Sequence, residues 1–182
     1  MKTIIFDIDG TLTDMWPIEK SVLLRMTKGK YKKEINALKA MNISDTYIIF
    51  RNATKKSINK TEYWRRYNRA FSMLLRTANL PRPKPYSSVD WIIKNKNRYR
   101  LVYATGGQEK ETKYVLKKLK IFDLFDDANS ITKNRCRFSK KTGISFRKLK
   151  KEFGDCLLVA DGDNDIIGAR RAGIQFIKIK NN

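Results

Sequence analysis

Four short apolar runs interrupt an otherwise polar and mostly helical pattern, and each run ends at polar or glycine residues. They lie at residues 2–9, 101–104, 156–160 and 174–179. Short apolar runs rich in β-branched residues and bounded by turn signals are typical of strands that are buried on both faces. The pattern therefore predicts four central strands, with a weaker fifth around residues 128–131.

Between these runs, apolar residues recur at helical spacing. The predicted helices lie at residues 88–95, 109–119, 145–153 and 165–172. The last of them stops at Gly173, a residue type that commonly ends helices. Strands that alternate with helices predict an α/β fold, in which helices cover both faces of a doubly wound parallel sheet.

Residues 15–80 break this alternation, because their pattern is mostly helical and strongly basic. Pro17 lies near the start of the segment, and three prolines within residues 81–85 stiffen its end. Between Asp14 and Arg100 there are 21 Lys or Arg and 6 Asp or Glu, which is +15 of the chain's net charge of +22. The prediction is an α/β core made of residues 1–14 and 81–182, with a helical module inserted at residues 15–80.

Composition and charge exclude some classes of function and favour others. The chain has no histidine, which excludes Ser-His-Asp and Cys-His catalysis and disfavours zinc. A charge of +22 favours an anionic partner such as a nucleotide or nucleic acid, although it can also serve solubility alone. Since no apolar run has the length of a membrane span and the first residues do not resemble a signal peptide, a cytoplasmic protein with no membrane partner is expected.

Polar residues cluster after three of the predicted strands. They are Asp7, Asp9, Thr11, Thr105, Asp161, Asn164 and Asp165. Ligands of open α/β sheets bind at the carboxyl ends of the strands, so these side chains are expected to converge. Carboxylates that converge repel one another, and a divalent cation relieves that repulsion. Oxygen ligands without histidine favour Mg²⁺ over zinc.

The motifs at these strand ends resemble the haloacid dehalogenase superfamily. Residues 7–14 are similar to its first motif, DxDGTxxD, and residues 101–105 to its second, a strand that ends in Thr or Ser. Lys140 or Lys141 falls at the third motif, and residues 161–165 resemble the fourth. The resemblance covers the predicted core and implies a phosphatase whose inserted helical module is a C1-type cap.

The resemblance also implies a role for each matching residue. Asp7 would attack phosphorus and form an aspartyl phosphate, and Asp9 would act as general acid and base. Thr105 and a lysine, for which Lys141 is preferred over Lys140, would complete the catalytic set. Asp7, Asp9, Asp161 and Asp165 would hold Mg²⁺, and Thr11 would contact the substrate. Gly106 and Gly107 replace the family's common Asn-containing turn after the second motif, and we expect these small residues to leave room for the substrate. In this family an Asp at position 9 favours phosphoryl chemistry over carbon–halogen cleavage.

The basic module contains an aromatic stretch whose role the sequence leaves open. Tyr63, Tyr67 and Phe71 fall at i, i+4 and i+8 and share one helix face. They either pack inside the module or stack on bases while Arg65 and Arg66 meet phosphates.

Substrate and activity therefore have several possibilities. The substrate is a nucleotide, a phosphorylated nucleic-acid end or a small phosphorylated metabolite. The alternatives are a phosphotransferase, a phosphonate hydrolase, or a nucleic-acid-binding protein on an inactive core. The oligomeric state is not predicted.

Overall fold

The computed structural model describes residues 2–136 and 138–180. It divides into two compact units, one made of Met1–Asp14 with Pro83–Asn182 and the other of Met15–Arg82. The sequence placed the second boundary after residue 80. The first unit contains the sheet, and the second, Met15–Arg82, is helical.

The sheet of the first unit is parallel and has four strands within the described residues. These are β1 (Thr3–Phe6), β2 (Arg100–Tyr103), β3 (Cys156–Ala160) and β4 (Gln175–Lys178). Their order is β2-β1-β3-β4, and every pairing is parallel. β1 is therefore central, with Phe6 opposite both Tyr103 and Val159. The residue that follows Phe6 lies between two other strand ends.

The helices of both units match the helical spacing of the sequence. In chain order they are α1 (Trp16–Met26), α2 (Lys32–Ala40), α3 (Thr46–Thr54), α4 (Lys60–Arg76), α5 (Ser87–Asn95), α6 (Glu109–Lys118), α7 (Ile144–Phe153) and α8 (Asp163–Ala172). The weaker strand predicted near residues 128–131 is not a strand, because only one parallel bridge forms there, between Ala104 and Ile131. None of the helices in residues 2–136 and 138–180 has the length and apolar character needed to cross a membrane.

Helices cover both faces of the sheet. On one face, Ile5 and Leu158 pack in a buried cluster with Phe146 of α7 and Ala169 of α8. On the other, the Phe6 ring lies 6.1 Å from that of Trp91 in α5, centroid to centroid. Side chains alternate between faces along a strand, so the two neighbours Ile5 and Phe6 belong to different cores. The predicted doubly wound α/β architecture is confirmed.

The second unit consists of α1 to α4 around its own buried aromatic side chains. α4 begins at a capped end, where Asn59 Oδ1 accepts from the Glu62 backbone N–H at 2.9 Å. Tyr63, Tyr67 and Phe71 on this helix are at most 1% exposed. These rings pack inside the unit, so the hypothesis that they stack on bases is wrong.

Candidate active site

The end of the central strand brings two carboxylates to the same edge of the sheet. Asp7 follows β1, and its backbone N–H donates to the carbonyl of Val159 at 3.1 Å. Asp161 follows β3, the strand that pairs with β1. The pKa of Asp7 is raised first by burial and, to a smaller extent, by the charge of Asp161 close by. The predicted convergence of these two acids is therefore seen in the structure.

A tight turn after β1 ties the first motif to the fourth. The backbone N–H groups of Thr11, Leu12 and Thr13 all donate to the carbonyl of Ile8, at 3.3, 2.8 and 3.3 Å. The Thr11 hydroxyl donates to Asp161 Oδ1 at 3.0 Å and accepts from the Asp161 N–H at 3.2 Å. Thr11 is fully buried. It positions Asp161, which corrects the prediction that Thr11 contacts the substrate.

Gly10 permits this close approach. Its φ is +71°, in the left-handed region that favours glycine. A Cβ built on Gly10 would lie 2.1 Å from Asp161 Oδ2. The turn and the Asp161 carboxylate can pack together only because this position has no side chain.

The lysine of the site is Lys140. Its Nζ lies 2.8 Å from Asp7 Oδ1 and 2.6 Å from Asp165 Oδ1. Lys141 is exposed, and its carbonyl accepts from Arg171 at 3.1 Å. The preference for Lys141 was wrong. Both lysines lie in the 3₁₀ turn Lys140–Thr142, where neighbouring side chains point about 120° apart, so only one of them can face Asp7.

Burial and crowding set the charges at the site. Burial raises the pKa of Asp7 although Lys140 opposes the shift. Burial and the charge of Asp7 raise the pKa of Asp165 to about 7. Burial alone would lower the pKa of Lys140, but Asp7 and Asp165 outweigh it and raise that pKa. Two carboxylates, those of Asp7 and Asp165, therefore share the Lys140 ammonium, and Asp161 adds a further carboxylate beside Asp7.

The donors present fit Mg²⁺ better than a softer metal. Residues 2–136 and 138–180 contain no group of three or more His, Cys, Asp or Glu side chains placed to bind a metal. The carboxylates of Asp7 and Asp161 form an oxygen-only set, and a hard cation would relieve the repulsion between them. Asp165 is paired with Lys140, which joins it to Asp7.

Asp9 lies two residues after Asp7, in the turn that follows β1. Its side chain is exposed, whereas Asp7 is buried. The pKa of the nearby Tyr86 is raised first by burial and then by the charges of Asp14, Asp9 and Asp161. The role of Asp9 as general acid and base stays a prediction.

The predicted phosphate-contacting loop follows β2. The Thr105 hydroxyl oxygen accepts from the Gly107 N–H at 3.1 Å, so its own proton remains for an additional acceptor. Gly106 is exposed, and a Cβ there would meet no atom within 4 Å. Since the Ala104 N–H donates to the carbonyl of Phe6 at 2.9 Å, Thr105 and Asp7 start from neighbouring points on the sheet.

Arg65 and Arg66 belong to the second unit. Both guanidinium groups pair with Glu62, each at 2.6 Å. Their predicted contact with substrate phosphates stays a prediction.

The comparisons with known proteins decide the family. The family model described as haloacid dehalogenase-like hydrolase matches residues 4–179. The chain belongs to this family. No curated protein matches it in sequence.

Solved structures share the fold of this haloacid dehalogenase-like hydrolase at low identity. CbbY from Rhodobacter sphaeroides, solved with phosphate, has a TM-score of 0.74 and 14% identity, over 100% of this chain and 87% of its own. YfnB from Bacillus subtilis, solved with magnesium, has a TM-score of 0.67 and 18% identity, over 96% and 86%. An L-2-haloacid dehalogenase from Xanthobacter autotrophicus has a TM-score of 0.59 and 16% identity, over 98% and 77%. These similarities concern the fold alone.

Proposed function

We propose that this hydrolase is a Mg²⁺-dependent phosphomonoesterase that acts through a phosphorylated Asp7. One observation carries the proposal: the Lys140 ammonium bridges Asp7 and Asp165 at the carboxyl end of the central strand. A carboxylate repels a phosphate dianion, so the nucleophile needs cationic neighbours before the two can approach. Lys140 is such a neighbour, and bound Mg²⁺ would supply further positive charge at the reacting oxygens.

The residues divide the chemistry among them. The Asp7 carboxylate forms the bond to phosphorus while the bond to the leaving oxygen breaks, and Asp9 donates the proton that this oxygen takes up. Asp9 then accepts a proton from the water that hydrolyses the aspartyl phosphate. The Thr105 hydroxyl donates to a phosphoryl oxygen. Asp7 and Asp161, with the Asp9 carbonyl, would hold the metal.

The fold alone does not decide between phosphatase and dehalogenase, because a haloacid dehalogenase is among the similar structures. Asp9 supports the phosphatase, since a halide displaced from carbon leaves as a stable anion and needs no general acid, whereas the oxygen that leaves phosphorus takes up a proton. The YfnB and CbbY structures, which hold magnesium and phosphate respectively, are in keeping with a site that takes both.

The substrate class follows from charge. Residues 15–82 carry 16 Lys or Arg against 4 Asp or Glu, a net charge of +12, and the remainder of the chain adds +10. We infer a nucleotide or a phosphorylated nucleic-acid end ahead of a sugar monophosphate, because each additional phosphate meets the same positive field. The proposal includes a cytoplasmic location, which the two free cysteines, Cys136 and Cys156, support.

The test is phosphate release from p-nitrophenyl phosphate, nucleoside monophosphates, sugar phosphates and 3′- or 5′-phosphorylated oligonucleotides. Release should require Mg²⁺ and should disappear in Asp7→Asn, which keeps the shape of the side chain but removes the nucleophilic oxygen. Phosphate release that persists in Asp7→Asn, or chloride release from 2-chloropropionate in its place, would contradict the proposal. Oligonucleotides that bind without any turnover would favour the nucleic-acid-binding alternative.

A further inference from the structure

The loop that carries Thr105 is held from outside by a second segment of the first unit. We infer that Arg135 is a positioning residue. It holds residues 131–135 against residues 105–109, and in this way it sets the affinity of the Thr105 loop for a phosphoryl group. The inference rests on the proposed function in one respect only, namely that this loop binds phosphate.

Three hydrogen bonds join the two segments. The Thr105 N–H donates to the carbonyl of Ile131 at 2.9 Å, and the Lys133 N–H donates to the carbonyl of Gly107 at 3.0 Å. The side-chain oxygen of Asn134 accepts from the Glu109 N–H at 2.9 Å. These bonds fix the backbone on both sides of Gly106, so the loop has little freedom to move without residues 131–135.

Arg135 fastens this arrangement through its guanidinium group. One terminal nitrogen lies 2.8 Å from Glu109 Oε1 and 3.2 Å from Asp127 Oδ2. The other donates to the carbonyl of Ser130 at 3.1 Å and also to the carbonyl of Asp127. The group is three-quarters buried. A planar guanidinium with donors on two sides is suited to tying a helix start to an irregular segment, whereas a lysine is not.

The same cluster reaches the strand before the site. The buried Tyr103 hydroxyl donates to Asp127, and Tyr103 is the last residue of β2, two positions before Thr105. Lys113 of α6 lies 2.8 Å from Glu109 and 3.3 Å from Asp127. Strand, loop and helix start are thus linked through one network of ion pairs and hydrogen bonds, in which the residues cooperate.

None of these side chains reaches the reacting carboxylate, which pairs with Lys140. Their effect is on where the Thr105 hydroxyl and the Gly107 N–H stand. Displacement by about 1 Å of a group that binds the substrate can cost about a hundredfold in rate, so a network of this kind is able to control phosphate binding without contacting phosphate.

The experiment compares Arg135→Met, Arg135→Lys and Glu109→Gln with the wild type and with Lys148→Met. Lys148→Met is the matched control, because Lys148 is exposed on α7 and its loss removes the same charge from the same unit. The readouts are the inhibition constant of inorganic phosphate, the kcat and KM of p-nitrophenyl phosphate, the melting temperature, and amide hydrogen exchange at Glu109 and Lys133.

We expect Arg135→Met to raise the phosphate inhibition constant and KM about tenfold, with a smaller change in kcat. Glu109→Gln and Arg135→Lys should move the same quantities less, in the same direction. Exchange at Glu109 and Lys133 should speed up in Arg135→Met and remain as in the wild type in Lys148→Met. If Arg135→Met lowers the melting temperature but leaves the phosphate inhibition constant unchanged, the inference is wrong and Arg135 only stabilises the fold.

The two proposals fail differently. A wild type that hydrolyses no phosphoester would contradict the proposed function. In that case the affinity for phosphate would be measured by calorimetry, because no inhibition constant could be obtained. If Arg135→Met still weakens that binding and loosens the Lys133 amide, the positioning role stands. If the wild type is active and Arg135→Met behaves like Lys148→Met, the positioning role is wrong and the function is untouched.

Discussion

Gly168 lies against the backbone of Lys140 so closely that a Cβ built on this glycine would stand 2.1 Å from the Lys140 carbonyl oxygen. The turn that carries the lysine is therefore pressed onto α8, and Arg171 of the same helix donates to the carbonyl of Lys141. The ammonium between Asp7 and Asp165 is placed by backbone packing against a helix, in addition to its own ion pairs.

Gly168→Ala should therefore harm the site through the backbone. The new methyl group would also stand 2.8 Å from a ring carbon of Phe146, so the turn or the ring must shift. Overpacking of this kind costs about 1–3 kcal/mol, measurable by urea unfolding, and kcat should fall with it. Gly106→Ala is the control for stability, because its methyl group would enter open space. Equal stability losses in the two variants would contradict this account.

Lys140→Met and Lys141→Met should behave differently although the residues are neighbours. Loss of Lys140 removes the ammonium from Asp7, and we expect kcat/KM to fall by about two to three orders of magnitude, as for other groups that stabilise charge in the transition state. Lys141 is exposed and its backbone, not its ammonium, makes the contact with Arg171. Lys141→Met should stay near the wild-type rate, and a large loss in this variant would restore the original prediction.

Gly10→Ala should weaken Mg²⁺ activation. The methyl group would collide with the Asp161 carboxylate at 2.1 Å, which must then leave its position. We expect the Mg²⁺ concentration for half-maximal activity to rise more than about tenfold, in line with the effect of losing groups that orient a ligand. Gly29→Ala has the same backbone strain, with φ at +76°, but no atom within 4 Å of the new Cβ. Similar changes in both variants would point to strain alone.

The stability of the metal-free protein should depend on the charge of Asp165. Its pKa is about 7 in the folded protein against an ordinary value of 3.8, so the folded state binds more protons than the unfolded state between these pH values. This group therefore lowers stability as pH rises from about 4 to about 7. Asp165→Asn cannot ionise, so its melting temperature relative to the wild type should increase across that range. A difference that stays constant with pH would contradict the shift.

Much of the fold could be predicted because a parallel sheet leaves a local signal. The runs at residues 101–104 and 156–160 are apolar on both faces, and each ends at the polar residue that the site uses. That Asp7 and Asp161 lie at the same edge of the sheet can be predicted from the direction of the strands. The choice between Lys140 and Lys141 could not be predicted in this way. It depends on which side chain of the 3₁₀ turn faces Asp7, and packing of that turn against Gly168 in α8 determines this.

Two other features left no usable pattern in the sequence. Spacing showed that Tyr63, Tyr67 and Phe71 share a face, but whether that face points inward depends on the other helices of the unit. The segment with Arg135 has neither helical nor strand periodicity, since its order comes from contacts with residues distant in sequence. A basic residue there resembles any other surface charge until the carboxylates around it are known.

The bond between Thr11 and Asp161 joins residues 150 positions apart, while residues 15–82 form one unbroken unit. During synthesis on the ribosome, residues 15–82 can therefore fold before β3, the partner of β1, has been synthesised. During that interval β1, which is buried at every position in the folded protein, has no partner on that side. Exposed strand edges of this kind make nascent proteins prone to aggregate or to bind chaperones. We therefore expect the yield of folded protein to depend on how soon residue 161 is synthesised after residue 7.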